Sequence, residues 1–118
     1  MDNPLQPSQY GVVLVTASSR EQAEAIAQVL IEAKLAACAS IMPVHSIYTW
    51  QGKVHQEDEW QLQIKTDLSK FSALEAKVQQ LHSYEIPEII ALPILTGSPT
   101  YLQWIAESVG TAALGNGG

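Results

Sequence analysis

The side chains in this sequence with the chemistry to hold a ligand are Cys38, Trp50, Glu59, Lys65, His82, Tyr84, Glu85 and Glu88. Cys38 lies among alanines. A free cysteine there is either an inert small hydrophobe or a soft metal ligand or nucleophile. His82 sits where a helix should end. It can cap that helix as a cation, or offer an imidazole to copper or zinc. Glu85 and Glu88 flank Pro87, as solvated loop carboxylates or as acceptors for a cation. Glu59 and Lys65 share one strand face. In a monomer they face solvent; at a subunit interface they form a polar cleft with Trp50 and Tyr84, the usual build of a small-ligand site. His45 and His55 read as surface residues.

These groups need elements to position them. Residues 1–9 carry Pro4 and Pro7 without periodicity and read as a tail. Val12-Val13-Leu14-Val15 forms the core of a strand over about Tyr10 to Thr16. Its apolar run suits a strand buried on both faces. Ser18 and Glu21 have capping-box spacing, and Ala23, Ile26, Ala27, Leu30 and Ile31 predict a helix over about Ser19 to Lys34. A second strand runs from Cys38 to Trp50. Gln51-Gly52 makes a two-residue hairpin turn, and a third strand runs from Lys53 to Thr66. Each arm is about twice the usual strand length of ~5–6 residues, so the tip overhangs the sheet. Asp67 or Ser69 caps a second helix carrying Phe71, Leu74, Val78 and Leu81. Pro87 forbids its continuation and biases Ile86 to an extended shape. Ile89 to Leu95 is a fourth strand, placed at an edge by Pro93. Ser98-Pro99 opens a third helix that Gly110 ends, and 111–118 is a second tail.

The order β-α-β-β-α-β plus a helix predicts one α+β domain over 10–110. Right-handed crossovers put the two main helices on one face of a four-stranded antiparallel sheet, the ferredoxin-like sandwich. The first and fourth strands are nevertheless apolar on both faces. Either the third helix covers the second face or another copy of the chain does. The long hairpin and an apolar edge without lysine favour a homo-oligomer.

Composition excludes several classes. The formal charge of −6, without any Lys/Arg cluster, repels phosphate backbones and anionic membranes. No apolar run reaches transmembrane length. The start has neither a basic region nor an apolar one of signal-peptide type. Cys38 is the single cysteine, which fits a reducing compartment. A cytoplasmic protein is therefore expected. Without G-x-S-x-G, P-loop, C-x-x-C or H-E-x-x-H, an enzyme is not expected.

Several blocks in order resemble the CutA family of divalent-cation tolerance proteins. They are Leu35-Ala36-Ala37-Cys38, Ile47 to Lys53, Glu59 with Ile64-Lys65-Thr66, His82 to Ile90, Leu92-Pro93-Ile94 and Tyr101 to Ile105. The family usually has proline where Ser83 stands and asparagine where Ser40 stands, and Ser83 should loosen the turn that holds His82. The resemblance implies a ferredoxin-like homotrimer similar to PII signalling proteins, with clefts between subunits. It implies weak binding of copper or other divalent ions, with no cofactor required. Cys38, Glu59 and His82 are then candidate metal ligands, and Trp50, Lys65, Tyr84, Glu85 and Glu88 line the cleft. The alternative is a PII-like small-molecule sensor, with an anionic or zwitterionic metabolite in that cleft.

Overall fold

The structure, a computed structural model, describes residues 8–112. It runs β1 (Tyr10–Ala17), α1 (Arg20–Glu32), β2 (Cys38–Trp50), β3 (Lys53–Asp67), a 3-10 turn (Leu68–Lys70), α2 (Phe71–Leu81), β4 (Ile89–Pro93) and α3 (Pro99–Ser108). The sheet order is β2-β3-β1-β4, antiparallel throughout. This is the expected ferredoxin-like order, with β4 at an edge.

The core forms where three periodicities meet. Val13 and Val15 of β1 lie opposite Ile64 and Leu62 of β3, and all four are fully buried. Ile26 and Leu30 of α1, with Leu74 and Val78 of α2, close over them. Each such side chain contributes roughly 1.5–3 kcal/mol by leaving water. The cap of α1 differs from expectation by one residue. Ser19, not Ser18, is the N-cap: its backbone is extended and its hydroxyl accepts the Gln22 amide hydrogen at 3.1 Å. Gln22 then takes the part expected of Glu21, accepting from the Ser18 amide at 3.1 Å. α1 ends with Lys34 in the left-handed region, where the Lys34 amide donates to Ile31 and the Leu35 amide to Leu30. That is a Schellman ending with lysine in the place glycine usually takes.

The hairpin is set by its turn. Gln51 and Gly52 both have positive φ, +52° and +78°, the conformation of a type I′ turn. β3 meets β1 only as far as Trp60, opposite Ala17. Residues 53–59 and their β2 partners therefore extend beyond the sheet by about 23 Å, giving a molecule 50 × 33 × 22 Å across.

The second face of the sheet is part covered. Tyr10, on the same face as Val12 and Leu14, packs against Ile105 and Ala106 of α3 in a second apolar cluster with Leu102, Ile94 and Ala37. Farther along that face Ile90 and Leu92 of β4, paired with Leu14 and Val12, remain about half exposed. β4 also stops two residues short of the expected Leu95, because its last pairing is Pro93 with Gly11, next to the start of β1. A β-carbon at Gly11 would stand 2.9 Å from the Leu92 carbonyl oxygen, so only glycine lets β4 approach there.

Of the expected tails, residues 1–7 and 113–118 lie outside the described residues. Gln9, Thr111 and Ala112, also assigned to tails, are held in place. Asp67, 3% exposed, accepts from Gln9 Nε2 at 2.8 Å, Thr111 Oγ1 at 2.8 Å and the Ser69 amide at 2.9 Å. Gln9 Nε2 also reaches the Ala112 carbonyl at 2.8 Å. Burial pushes the Asp67 carboxyl up, but hydrogen bonds from Gln9, Ser69 and Thr111 outweigh it and hold the carboxyl below its usual range. A depressed native pKa stabilises the fold above the unfolded value, and that contribution is lost as pH falls through the native one. Asp67→Ala should cost about 1–3 kcal/mol near neutral pH in urea unfolding. Its deficit relative to wild type should shrink as the buffer is taken below the usual carboxylate range.

Candidate functional site

Pro87 keeps the chain between α2 and β4 out of helix, and three side chains then fasten that loop, two to the sheet and one to α1. His82 caps α2 with an extended backbone. Its Nε2 lies 2.6 Å from the Thr16 carbonyl oxygen at the end of β1, and its Nδ1 accepts the Tyr84 amide hydrogen at 3.0 Å. A carbonyl needs a donor and an amide needs an acceptor, so these partners assign the neutral ring with the proton on Nε2. The Tyr84 hydroxyl donates to Glu59 Oε2 at 2.6 Å, and the His82 and Tyr84 rings lie 4.6 Å apart. Ser83 does not leave the turn loose: its hydroxyl accepts from Gln22 Nε2 of α1 at 2.9 Å.

Between this loop and the overhanging hairpin lies an open groove of about 880 Å³. Tyr48, Trp50 and Tyr84 give it aromatic walls, and Glu57, Glu59, Glu85 and Glu88 give it carboxylates. His55 also faces it, stacked on Tyr48 at 5.7 Å between centroids. No lysine or arginine lines it. The uncompensated charge is visible in its neighbours. Tyr84 is driven well above the ordinary phenol range, first by burial and then by Glu59, so it stays a donor. Glu88 is raised, first by desolvation and then by the charge of Glu59, although its side chain reaches solvent at the rim.

The structure thus gathers Trp50, Glu59, Tyr84, Glu85 and Glu88, and leaves the other candidates apart. Cys38 and Lys65 are register partners at the base of the β2–β3 ladder, whereas Glu59 pairs with Val44. Six ladder positions separate them from Glu59, about 20 Å. Lys65 therefore does not face the groove of its own chain. His82 lies behind the wall with both ring nitrogens engaged, and Cys38, Glu59 and His82 do not converge. Among the described residues no three His, Cys, Asp or Glu side chains are placed to hold a metal ion together. Glu57 and Tyr48 also line the groove although their residue types alone did not mark them, and His55, expected at the surface, faces it. The signal was available: His55, Glu57 and Glu59 follow the two-residue alternation already seen from Glu59 to Lys65.

The CutA1 divalent ion tolerance protein family matches residues 11–108. A divalent-cation tolerance protein CutA of Thermus thermophilus is 47% identical over 100 residues, covering 84% of this chain and 97% of the relative. The solved structure of the periplasmic divalent cation tolerance protein CutA from Archaeoglobus fulgidus superposes with a TM-score of 0.84 at 41% identity, covering 85% of this chain and 98% of that one. A chloroplastic CutA of Arabidopsis thaliana is 44% identical over 98 residues, covering 82% of this chain and 54% of the relative. Periplasmic and chloroplastic relatives overturn the cytoplasmic expectation. A lone half-buried thiol has no second cysteine to pair with in any compartment, so it carries no information about redox environment. The resemblance read from the motif blocks holds across the domain, and the chain belongs to the CutA1 family of divalent-ion tolerance proteins.

Proposed function

We propose that this protein is a trimeric, non-enzymatic binder of divalent cations, copper among them, and that the carboxylates of the groove attract the ions. The observation that carries this reading is a concave wall of four glutamates with no lysine or arginine. Carboxylate oxygens suit hard divalent ions, and copper prefers imidazole or thiolate. His55 is the imidazole that faces the groove; His82 is spent on Thr16 and Tyr84, and Cys38 is distant. Binding within one chain is therefore weak. The sensor alternative asks for a cation beside an anionic ligand, and the groove of one chain offers none. Half-exposed Ile90 and Leu92, next to the free edge of β4, support the oligomer, since soluble monomers seldom leave a contiguous apolar patch of this kind uncovered.

Two measurements test this. In calorimetric copper titrations, Cys38→Ala should match wild type, while Glu57→Gln/Glu88→Gln should weaken binding by about tenfold or more. Loss of binding in Cys38→Ala with the glutamate variant unchanged would reject the groove. Light scattering after size exclusion should give three times the chain mass at micromolar concentration, and Leu92→Lys should shift it toward the monomer. A monomer mass for the wild type would reject the trimer.

A further inference from the structure

Gln22 does not line the groove, yet its side chain is fixed at both ends. Its Oε1 accepts from the Ser18 amide at 3.1 Å and from the Ser18 hydroxyl at 3.2 Å. A backbone N–H needs an acceptor, so the carboxamide turns its oxygen to Ser18 and its nitrogen away. That nitrogen donates to Ser83 Oγ, 61 residues on, at 2.9 Å. The backbone amide of Gln22 meanwhile donates to the N-cap hydroxyl of Ser19 at 3.1 Å. One residue thus belongs both to the cap of α1 and to the loop after α2.

That loop makes one wall of the groove, with Ser83, Tyr84, Glu85, Ile86 and Glu88. Three side-chain bonds hold its first half: His82 to Thr16, Ser83 to Gln22 and Tyr84 to Glu59. The first two land on one short stretch, Thr16 to Gln22, where β1 gives way to α1. His82, immediately before Ser83, has φ −81° and ψ 145°. A proline at 83 would accept that extended shape in the residue before it, so the backbone there suits a stiffening ring. The chain uses a hydrogen bond from α1 instead.

We infer that Gln22 is a positioning residue for the groove: through Ser83 it holds the loop wall where Tyr84 meets Glu59. The inference rests on the cation reading of the groove only where it concerns binding. Amide hydrogen exchange of the full-length protein, followed by NMR, tests it apart from any ligand. The reporter is the Tyr84 amide, which His82 Nδ1 accepts at 3.0 Å, and amides inside α1 are the reference. Ser83→Ala leaves the cap of α1 intact. It should speed Tyr84 exchange about two- to tenfold, the range of one neutral hydrogen bond, without moving the α1 amides. Gln22→Ala should speed Tyr84 at least as much, and Ser83→Ala should add nothing in that background, because both remove the same bond. Gln22→Glu should restore protection, since its carboxylate accepts from Ser18 and from the Ser83 hydroxyl. Tyr84 exchanging at the wild-type rate in Ser83→Ala, or faster in the double variant than in Gln22→Ala, overturns the positioning role. In calorimetry Gln22→Ala should weaken copper about threefold, and Ser83→Pro in that background should recover it. Altered exchange with unaltered copper affinity overturns the link to binding. A wild type that binds no copper overturns the cation reading, and the exchange rates then decide the positioning role alone.

Discussion

The hydrogen bond from the Tyr84 hydroxyl to Glu59 closes the groove, because it fastens the loop after α2 to β3 at the point where the hairpin leaves the sheet. On one side of it β3 has β1 as a neighbour; on the other it does not. The loop can reach that junction because His82 bonds a β1 carbonyl and holds the Tyr84 amide. Pro87 prevents α2 from running on, and β4 begins two residues later. Removing the Tyr84 hydroxyl would leave a largely buried carboxylate with no donor among the described residues, which is a costly state. The site and the joint between α2 and β4 are thus one construction.

How far the sequence reveals this depends on distance along the chain. The hairpin is readable nearly to the residue, since a two-residue Gln51-Gly52 link suits a primed turn and the second arm alternates with period two from Glu59 to Lys65. Helix positions are readable from apolar spacing, but not which of two adjacent serines caps α1: Ser19 wins because Gln22 can reach back to the Ser18 amide. The site is harder. The partner of His82 is a backbone carbonyl 66 residues away, and no side-chain pattern marks a carbonyl. Cys38, Lys65 and Glu59 seem equally available in a list of reactive residues. The ladder register alone separates them, by tying Cys38 to Lys65 and Val44 to Glu59.

The electrostatics add a constraint that neither motif nor fold conveys. The net charge of −6 is spread over the chain, but four carboxylates share the groove without a lysine or arginine. Glu88 is raised there, first by desolvation and then by the charge of Glu59. A positively charged occupant relieves the repulsion in a way that an anion cannot.

The Asp67 clasp has a topological consequence. Gln9 and Ala112 touch, so two residues far apart in sequence share one corner of the fold. That corner lies at the Tyr10 end of β1, and the groove lies at the Thr16 end, roughly 20 Å away along the strand. Gln9 and Ala112 thus lie together on the side opposite the groove. A linker joining Gln9 directly to Ala112 would need only a few residues, which makes the Gln51-Gly52 turn a natural place to reopen the chain as a circular permutant.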